Sequence, residues 1–223
     1  MSSEIPAETP AAAEVPPPTP VAATATAASA AAPAASSADP APLGLAGFAV
    51  TTLMLSFINT HIIKEDGAII VVLGLAAFYG GIAQFAAGLF EFRRGNTFGA
   101  TAFASYGAFW LSYWWIVTHL NAASGDVHQA LGLFLLLWAV FTAYMAVASL
   151  RVSSAVLAVF VLLTLTFVFL AIGSFQNGMP APDAMTKVGG WLGIATGVAA
   201  LYASAATVVN ATHRRSLLPT GPR

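Results

Sequence analysis

The chain has 223 residues, of which 58% are hydrophobic and only 8% charged, with a net charge of −1 and no cysteine. Water-soluble domains carry about 25% charged residues. The shortfall excludes a soluble globular protein and points to lipid as the solvent, while the near-neutral balance argues against a nucleic-acid partner. Without cysteine there is no disulfide, thiolate nucleophile or Cys-ligated metal.

Residues 1–38 are dominated by Ala and Pro and contain neither Lys nor Arg. Pro-rich composition resists helix and buries too little apolar surface to fold, so a disordered, solvated tail is expected. It lacks the basic start and continuous apolar run of a signal peptide, and is expected to stay on the mature protein. A partner-binding role for Pro16 to Pro20 (PPPTP) competes with the solvated-tail reading, which such compositions favour.

From Asp39 the character changes. A crossing helix needs about 20 mostly apolar residues. Six stretches qualify, at about 44–63, 67–90, 98–120, 128–150, 152–174 and 187–210. They give an all-α integral membrane protein with six transmembrane helices, a transporter domain over 39–215, and a short C-terminal tail, 216–223. KEDG, RRGN, NAASGD, Arg151 and NGMPAPD punctuate the spans. An even number of spans puts both ends on one side. Arg93, Arg94, Arg151, Arg214, Arg215 and Arg223 fall on that side, and only Lys64 and Lys187 on the other. Positive charge accumulates in cytoplasmic loops, so both termini are expected in the cytoplasm, with the chain in a cell inner membrane or plasma membrane.

Helical spacing sorts the polar residues onto faces. In the first span Phe48, Thr52, Leu55 and Asn59 align. In the second Gly80, Gln84, Gly88 and Glu91 recur at four, four and three residues. In the third Thr97, Thr101, Ser105 and Ser112 align, with Tyr106 beside them. An amide or carboxylate in hydrocarbon is costly, so these faces turn toward protein or a water-filled path. For a single Thr or Ser, a hydrogen bond between packed helices is the simpler explanation. Gly189, Gly193 and Gly197 in the last span form a small-residue ladder suited to close helix packing. Trp110, Trp114, Trp115, Trp138 and Trp191 lie in the spans, where Trp commonly anchors at the membrane interface.

Enzymatic and cofactor chemistry finds no support. Lys187, which could in principle carry a retinal Schiff base, sits at a span start beside Asp183, where an interfacial lysine is the ordinary explanation. His61, His119, His128 and His213 are scattered, and no HExxH, carboxylate pair or GxxxxGK[ST] loop is present. No metal, cofactor or ATP-driven step is called for. An intramembrane enzyme therefore has no constellation to work with. A structural or sensory membrane protein using its Pro-rich tail for interactions leaves the polar faces on three successive spans unexplained.

Three ordered blocks carry a resemblance. Asp39 to Phe48 (DPAPLGLAGF) is similar to the N-P-A-P-L-G-L-x-G-F signature of the acetate uptake transporter family, the YaaH-type succinate–acetate permeases. Phe78 to Gly99 (FYGGIAQFAAGLFEFRRGNTFG) and Thr101 to Trp110 (TAFASYGAFW) resemble that family's second and third spans, and the segment from Leu163 (LTLTFVFLAIG) its fifth. The resemblance covers about residues 39–218. It implies a hexamer of six-helix protomers, each with its own path for acetate and, in some members, succinate, by proton-coupled symport or channel-like conduction. It also implies a hydrophobic constriction at Phe48, Tyr106 and Leu163. One departure is Asp39, where the signature has Asn.

A small carboxylate needs donors for its oxygens and an apolar slot for its methyl group. Thr52, Gln84, Asn96, Thr101, Ser105 and Tyr106 are candidate neutral groups, and Glu91 shares the face of Gln84. No Lys or Arg lies deep enough to hold an anion permanently, which suits a path that must also release its cargo.

Overall fold

The computed structural model describes residues 38–63, 66–120, 125–176 and 184–221. The tail at residues 1–37, and with it PPPTP, lies outside the described residues, as do Lys64, Asp183, Arg223 and most of the NAASGD and NGMPAPD connections.

The described residues form six long helical rods: α1 (Ala41–Asn59), α2 (Ile69–Arg93), α3 (Thr97–His119), α4 (Gly125–Ser149), α5 (Ser154–Gln176) and α6 (Ala184–His213). Among the described residues, all of these except α3 are long and apolar enough to cross a membrane. The exception is legible in its composition: α3 carries Ser, Thr, Tyr, Trp and His through most of its length. Large apolar side chains point outward along several rods. On α2, Phe78, Ile82, Phe85, Leu89 and Phe92 are exposed, and on α4 Leu133, Leu137, Val140 and Val147. Such continuous apolar faces belong in hydrocarbon. The protein is an all-helical, multi-pass membrane protein.

Successive rods run in opposite directions. Arg94 at the end of α2 pairs with Asp39 at the start of α1. Ser204 near the end of α6 donates to the Pro42 carbonyl, 2.7 Å. Ser174 near the end of α5 donates to the His128 carbonyl at the start of α4, 2.9 Å. One end of the bundle therefore gathers Asp39, Arg93, Arg94, Arg151, Arg214 and Arg215. α1 packs on α2 and α6, α6 on α5, α5 on α4, and α2 on α3, and aromatic side chains bridge α3 to α4.

Local sequence sets the joints. Asp39 Oδ1 accepts from the Ala41 amide, 3.1 Å, at the start of α1. Gly95 adopts φ 73° after α2, and the Gly95 and Asn96 amides return to the Phe92 and Glu91 carbonyls, closing a Schellman turn. Asn96 then caps α3 by accepting from Gly99 N, 3.1 Å.

The second span holds a feature that its periodicity does not announce. Residues Phe78–Ala83 form a π-helical turn inside α2. Gly80 and Gly81 face inward there, against α1 and α3. The small-residue ladder of α6 packs within the chain: Gly189 faces Leu170, Gly193 faces Ser56, and Gly197 faces Leu53.

Candidate functional site

Two cavities lie between the helices. The one toward the arginine-rich end has a volume of about 100 Å³ and is lined by the first halves of α1, α3 and α5 together with Gln84, Glu91 and Asn96. The other, toward the opposite end, has a volume of about 200 Å³ and is lined by the second halves of α1, α3 and α5. Phe48 and Leu163 border both. Tyr106 borders the smaller one, with its ring 5.7 Å from that of Phe48. All three are at most 5% exposed. The two cavities thus share Phe48 and Leu163 as a partition, with Tyr106 beside it on the smaller side; the three side chains arrive from α1, α5 and α3.

The partition is braced by rings. Tyr106 contacts Trp138, Phe141 and Phe160 at centroid separations of 5.7, 5.4 and 6.1 Å. Its hydroxyl lies 2.9 Å from Thr142 Oγ1. Thr142 gives its own proton to the Trp138 carbonyl, 2.7 Å, so Tyr106 is the donor in that pair. The Tyr106 hydroxyl is therefore committed to α4, and the ring is what the residue presents to the partition.

The remaining residues singled out from the sequence divide. Thr52 lines the larger cavity, four residues along α1 from Phe48, with Leu55 and Asn59 following on the same face. Gln84, Glu91 and Asn96 line the smaller. Thr101 and Ser105 are half-buried and line neither cavity. The buried face of α3 is instead Gly99, Ala102, Phe103, Tyr106, Gly107, Phe109 and Trp110. The Thr97, Thr101, Ser105 and Ser112 stripe runs alongside it, with Thr97 and Ser112 exposed.

Several polar atoms in these linings are buried without hydrogen-bond partners among the described residues: Thr52 Oγ1, Gln84 Oε1, both carboxylate oxygens of Glu91, and Trp110 Nε1. Buried polar groups in proteins are nearly always paired. The Asn96 amide lies beside the Glu91 carboxylate, and both crowd the space above Gly99, yet no donor meets the Glu91 oxygens in good geometry. Because Asn96 Oδ1 caps α3, only its NH₂ group remains to face the cavity. The smaller cavity is thus edged by a carboxylate and two amides, and the larger by a hydroxyl, an indole N–H and apolar rings.

Trp110 stands out as a lining residue that its composition hides. It sits four residues beyond Tyr106, so the helical period places it on the same face, one turn past the partition. Its membrane location alone suggests an interfacial anchor, but it is 2% exposed. Trp115 and Trp191, at 56% and 58% exposed, face outward.

Comparison with known proteins fits this architecture. The profile of the GPR1/FUN34/yaaH family matches residues 21–222. The succinate-acetate/proton symporter SatP of Escherichia coli K12 is 41% identical over 186 residues, 82% of this chain and 95% of that one. Acetate permease A of Emericella nidulans is 38% identical over 196 residues, 82% of this chain and 65% of the relative. The solved structure of the bacterial acetate channel SatP superposes with a TM-score of 0.75 at 40% identity, covering 83% of this chain and all of that one (100%). The chain belongs to the GPR1/FUN34/yaaH family.

Proposed function

We propose that this protein moves acetate, and succinate or other short-chain carboxylates, across a cell membrane along the line of the two cavities, passing the partition of Phe48, Tyr106 and Leu163. The observation that carries the reading is that Phe48 and Leu163 border both cavities, so anything travelling between them passes these side chains. An apolar neck disfavours hydrated inorganic ions, while a small carboxylic acid can shed water and present its methyl group to the rings. Thr52 on one side and Gln84, Glu91 and Asn96 on the other supply polar groups at the two approaches. Thr101 and Ser105 act, in this reading, from beside the path.

The names of the relatives pull two ways on mode, one a proton symporter and one a channel. Both modes use the same path. Radiolabelled acetate uptake into proteoliposomes tests the function itself, and uptake no greater than in empty liposomes would refute it. An imposed voltage then separates the modes. A channel passing acetate anions gives a current, whereas one acetate carried with one proton is electroneutral.

The proposal includes six crossings per protomer, with α3 crossing too because its antiparallel neighbours pack along it. The arginine-rich end, with both termini, faces the cytoplasm by the bias of positive loops. Protomers assemble as hexamers, each keeping its own path, and the exposed apolar faces of α2 and α4 meet neighbours or lipid. No catalytic step is involved.

A further inference from the structure

We propose that the outer groove between α5 and α6 binds an acyl chain of an anionic phospholipid, whose headgroup is held by Arg151, Arg214 and Arg215. The site stands apart from the two cavities of the transport path, on the outside of the bundle.

The groove has a volume of about 730 Å³, within the range of roughly 300–1,000 Å³ usual for pockets that take a small molecule. Ala155 and Ala158 on α5 and Ala195, Val198 and Ala199 on α6 line it, and Tyr202 stands at one end. The outward faces of α2 and α4 carry large side chains such as Phe78, Leu89, Leu137 and Val140, which fill the surface they face. Between α5 and α6 the short side chains leave a furrow instead. No charged side chain lines it, so the body of its occupant is apolar.

The furrow is closed at its arginine-rich end. The C-terminal segment, residues 214–221, returns along α6 and stops against the start of α5. Tyr202 donates its hydroxyl to the Pro219 carbonyl, 2.7 Å, and the Ser154 amide donates to the Gly221 carbonyl, 2.8 Å. Gly221, at φ 62°, passes so close to α5 that an ideal Cβ on it would lie 2.8 Å from Ser154 Oγ. Ser154, Tyr202 and Thr220 thus gather hydroxyls at the closed end, and the alanines continue away from it. An ester-linked acyl chain has the same division, with oxygens at one end and methylenes along the rest.

Charge selects the headgroup. Arg151 lies three residues before Ser154, and Arg214 and Arg215 begin the segment that closes the furrow. All three are exposed. Neither α5, α6 nor residues 214–221 contain Asp or Glu, and the carboxylate of Asp39 is taken by Arg94. Basic side chains just outside a span attract anionic headgroups, and a guanidinium matches the geometry of a phosphate. A second copy in the same orientation would bring its own arginines to the same level. Charge therefore favours a lipid over a neighbouring protomer as the occupant.

The test is photolabelling of the full-length protein in nanodiscs containing phosphatidylglycerol with a diazirine in its acyl chain, with the labelled peptides mapped by mass spectrometry. Label should concentrate on α5, α6 and residues 219–221. Unlabelled phosphatidylglycerol should displace it at a concentration at least about tenfold lower than phosphatidylcholine with the same chains, given three arginines at the surface. Ala158→Phe fills the furrow and should remove most of the label, and Ala195→Phe serves if the first variant fails to fold. Val140→Phe, on the outward face of α4, should leave labelling unchanged. Arg151→Gln, Arg214→Gln and Arg215→Gln together should bring the two competitors to equal strength. Label spread evenly over α2 and α4 would refute the groove, and equal competition in the parental protein would refute the anionic headgroup. Because the chain has no cysteine, Ala195→Cys reports the remaining alternative. A disulfide-linked dimer formed on mild oxidation would put a second copy in the furrow and overturn the lipid assignment.

Discussion

Phe48 on α1 and Leu163 on α5 each border both cavities, so together they are a partition between the two rather than the wall of one. The two residues are 115 positions apart in the chain, and the alternation of helix directions, which leaves α1 and α5 parallel, puts them at one depth. If their bulk sets the width of the neck, Phe48→Ala or Leu163→Ala should speed succinate and lactate relative to acetate. Buried Leu→Ala and Phe→Ala changes cost about 2–5 kcal/mol, so expression and melting temperature must be measured beside uptake. An unchanged acetate-to-succinate ratio in well-folded variants would place the constriction elsewhere.

Tyr106→Phe separates a structural hydroxyl from a permeant-binding one. The Tyr106 hydroxyl already donates to Thr142, so removing it should leave the acetate half-saturation within about twofold. It should lower stability by about 0.5–1.5 kcal/mol, the usual net value of one hydrogen bond. Uptake kinetics and thermal unfolding of the same preparation check both halves. A large rise in half-saturation with unchanged stability would mean that the hydroxyl leaves Thr142 to serve the permeant.

Much of this arrangement is legible in the sequence, and the limits have physical causes. The α2 face of Gly80, Gln84, Gly88 and Glu91 is buried as its spacing implies, because a period near four keeps those residues on one side of a helix. The α1 face of Phe48, Thr52, Leu55 and Asn59 lines one cavity for the same reason. On α3 the period was legible but the facing was not. A hydroxyl stripe and an aromatic stripe run side by side, and polarity favours the hydroxyls, yet Tyr106, Phe109 and Trp110 turn inward. Hydroxyls can satisfy themselves on their own backbone, as Ser112 does on the Ala108 carbonyl at 2.8 Å, so they need no interior. The π turn at Phe78–Ala83 also escapes a reading based on a uniform period, because one residue more per turn leaves no change in composition.

That turn is the subject of a third prediction. An ideal Cβ at Gly80 would lie 2.6 Å from Thr51 Oγ1 and 2.9 Å from Trp110 Cδ1. Gly80→Ala should therefore push α1 and the indole apart, at about 1–3 kcal/mol, the usual range for overpacking. Acetate half-saturation should rise along with the loss of stability. Gly74→Ala is the matched control, since an ideal Cβ there meets nothing within 4 Å. Equal melting temperatures for the two variants would show that the space over Gly80 is not tightly filled.

The last prediction concerns the C-terminal segment, which folds back as a strap over the start of α5. Asn210 Oδ1 accepts from the Leu217 and Leu218 amides at 2.7 and 2.9 Å, and its amide donates to the Leu218 carbonyl at 2.8 Å. Tyr202 donates to the Pro219 carbonyl, 2.7 Å. The strap ends by offering the Thr220 and Gly221 carbonyls to the Ala155 and Ser154 amides, at 3.1 and 2.8 Å. Those amides belong to the first turn of α5, whose helical partners do not exist, so the strap does the work of a cap. Val156, Val159 and Phe160 on the following turns line the smaller cavity, which ties the strap to the path by one helix. Asn210→Ala removes three of the strap's hydrogen bonds at once and should free it by about 1–3 kcal/mol. Trypsin should then cut after Arg214 and Arg215 at least about tenfold faster in detergent-solubilised protein, since 1.4 kcal/mol in a local opening equilibrium is a tenfold change in the open population. The helices themselves should keep their melting temperature to within a few degrees. Cleavage at the parental rate would mean that Tyr202 and the α5 amides hold the strap without Asn210.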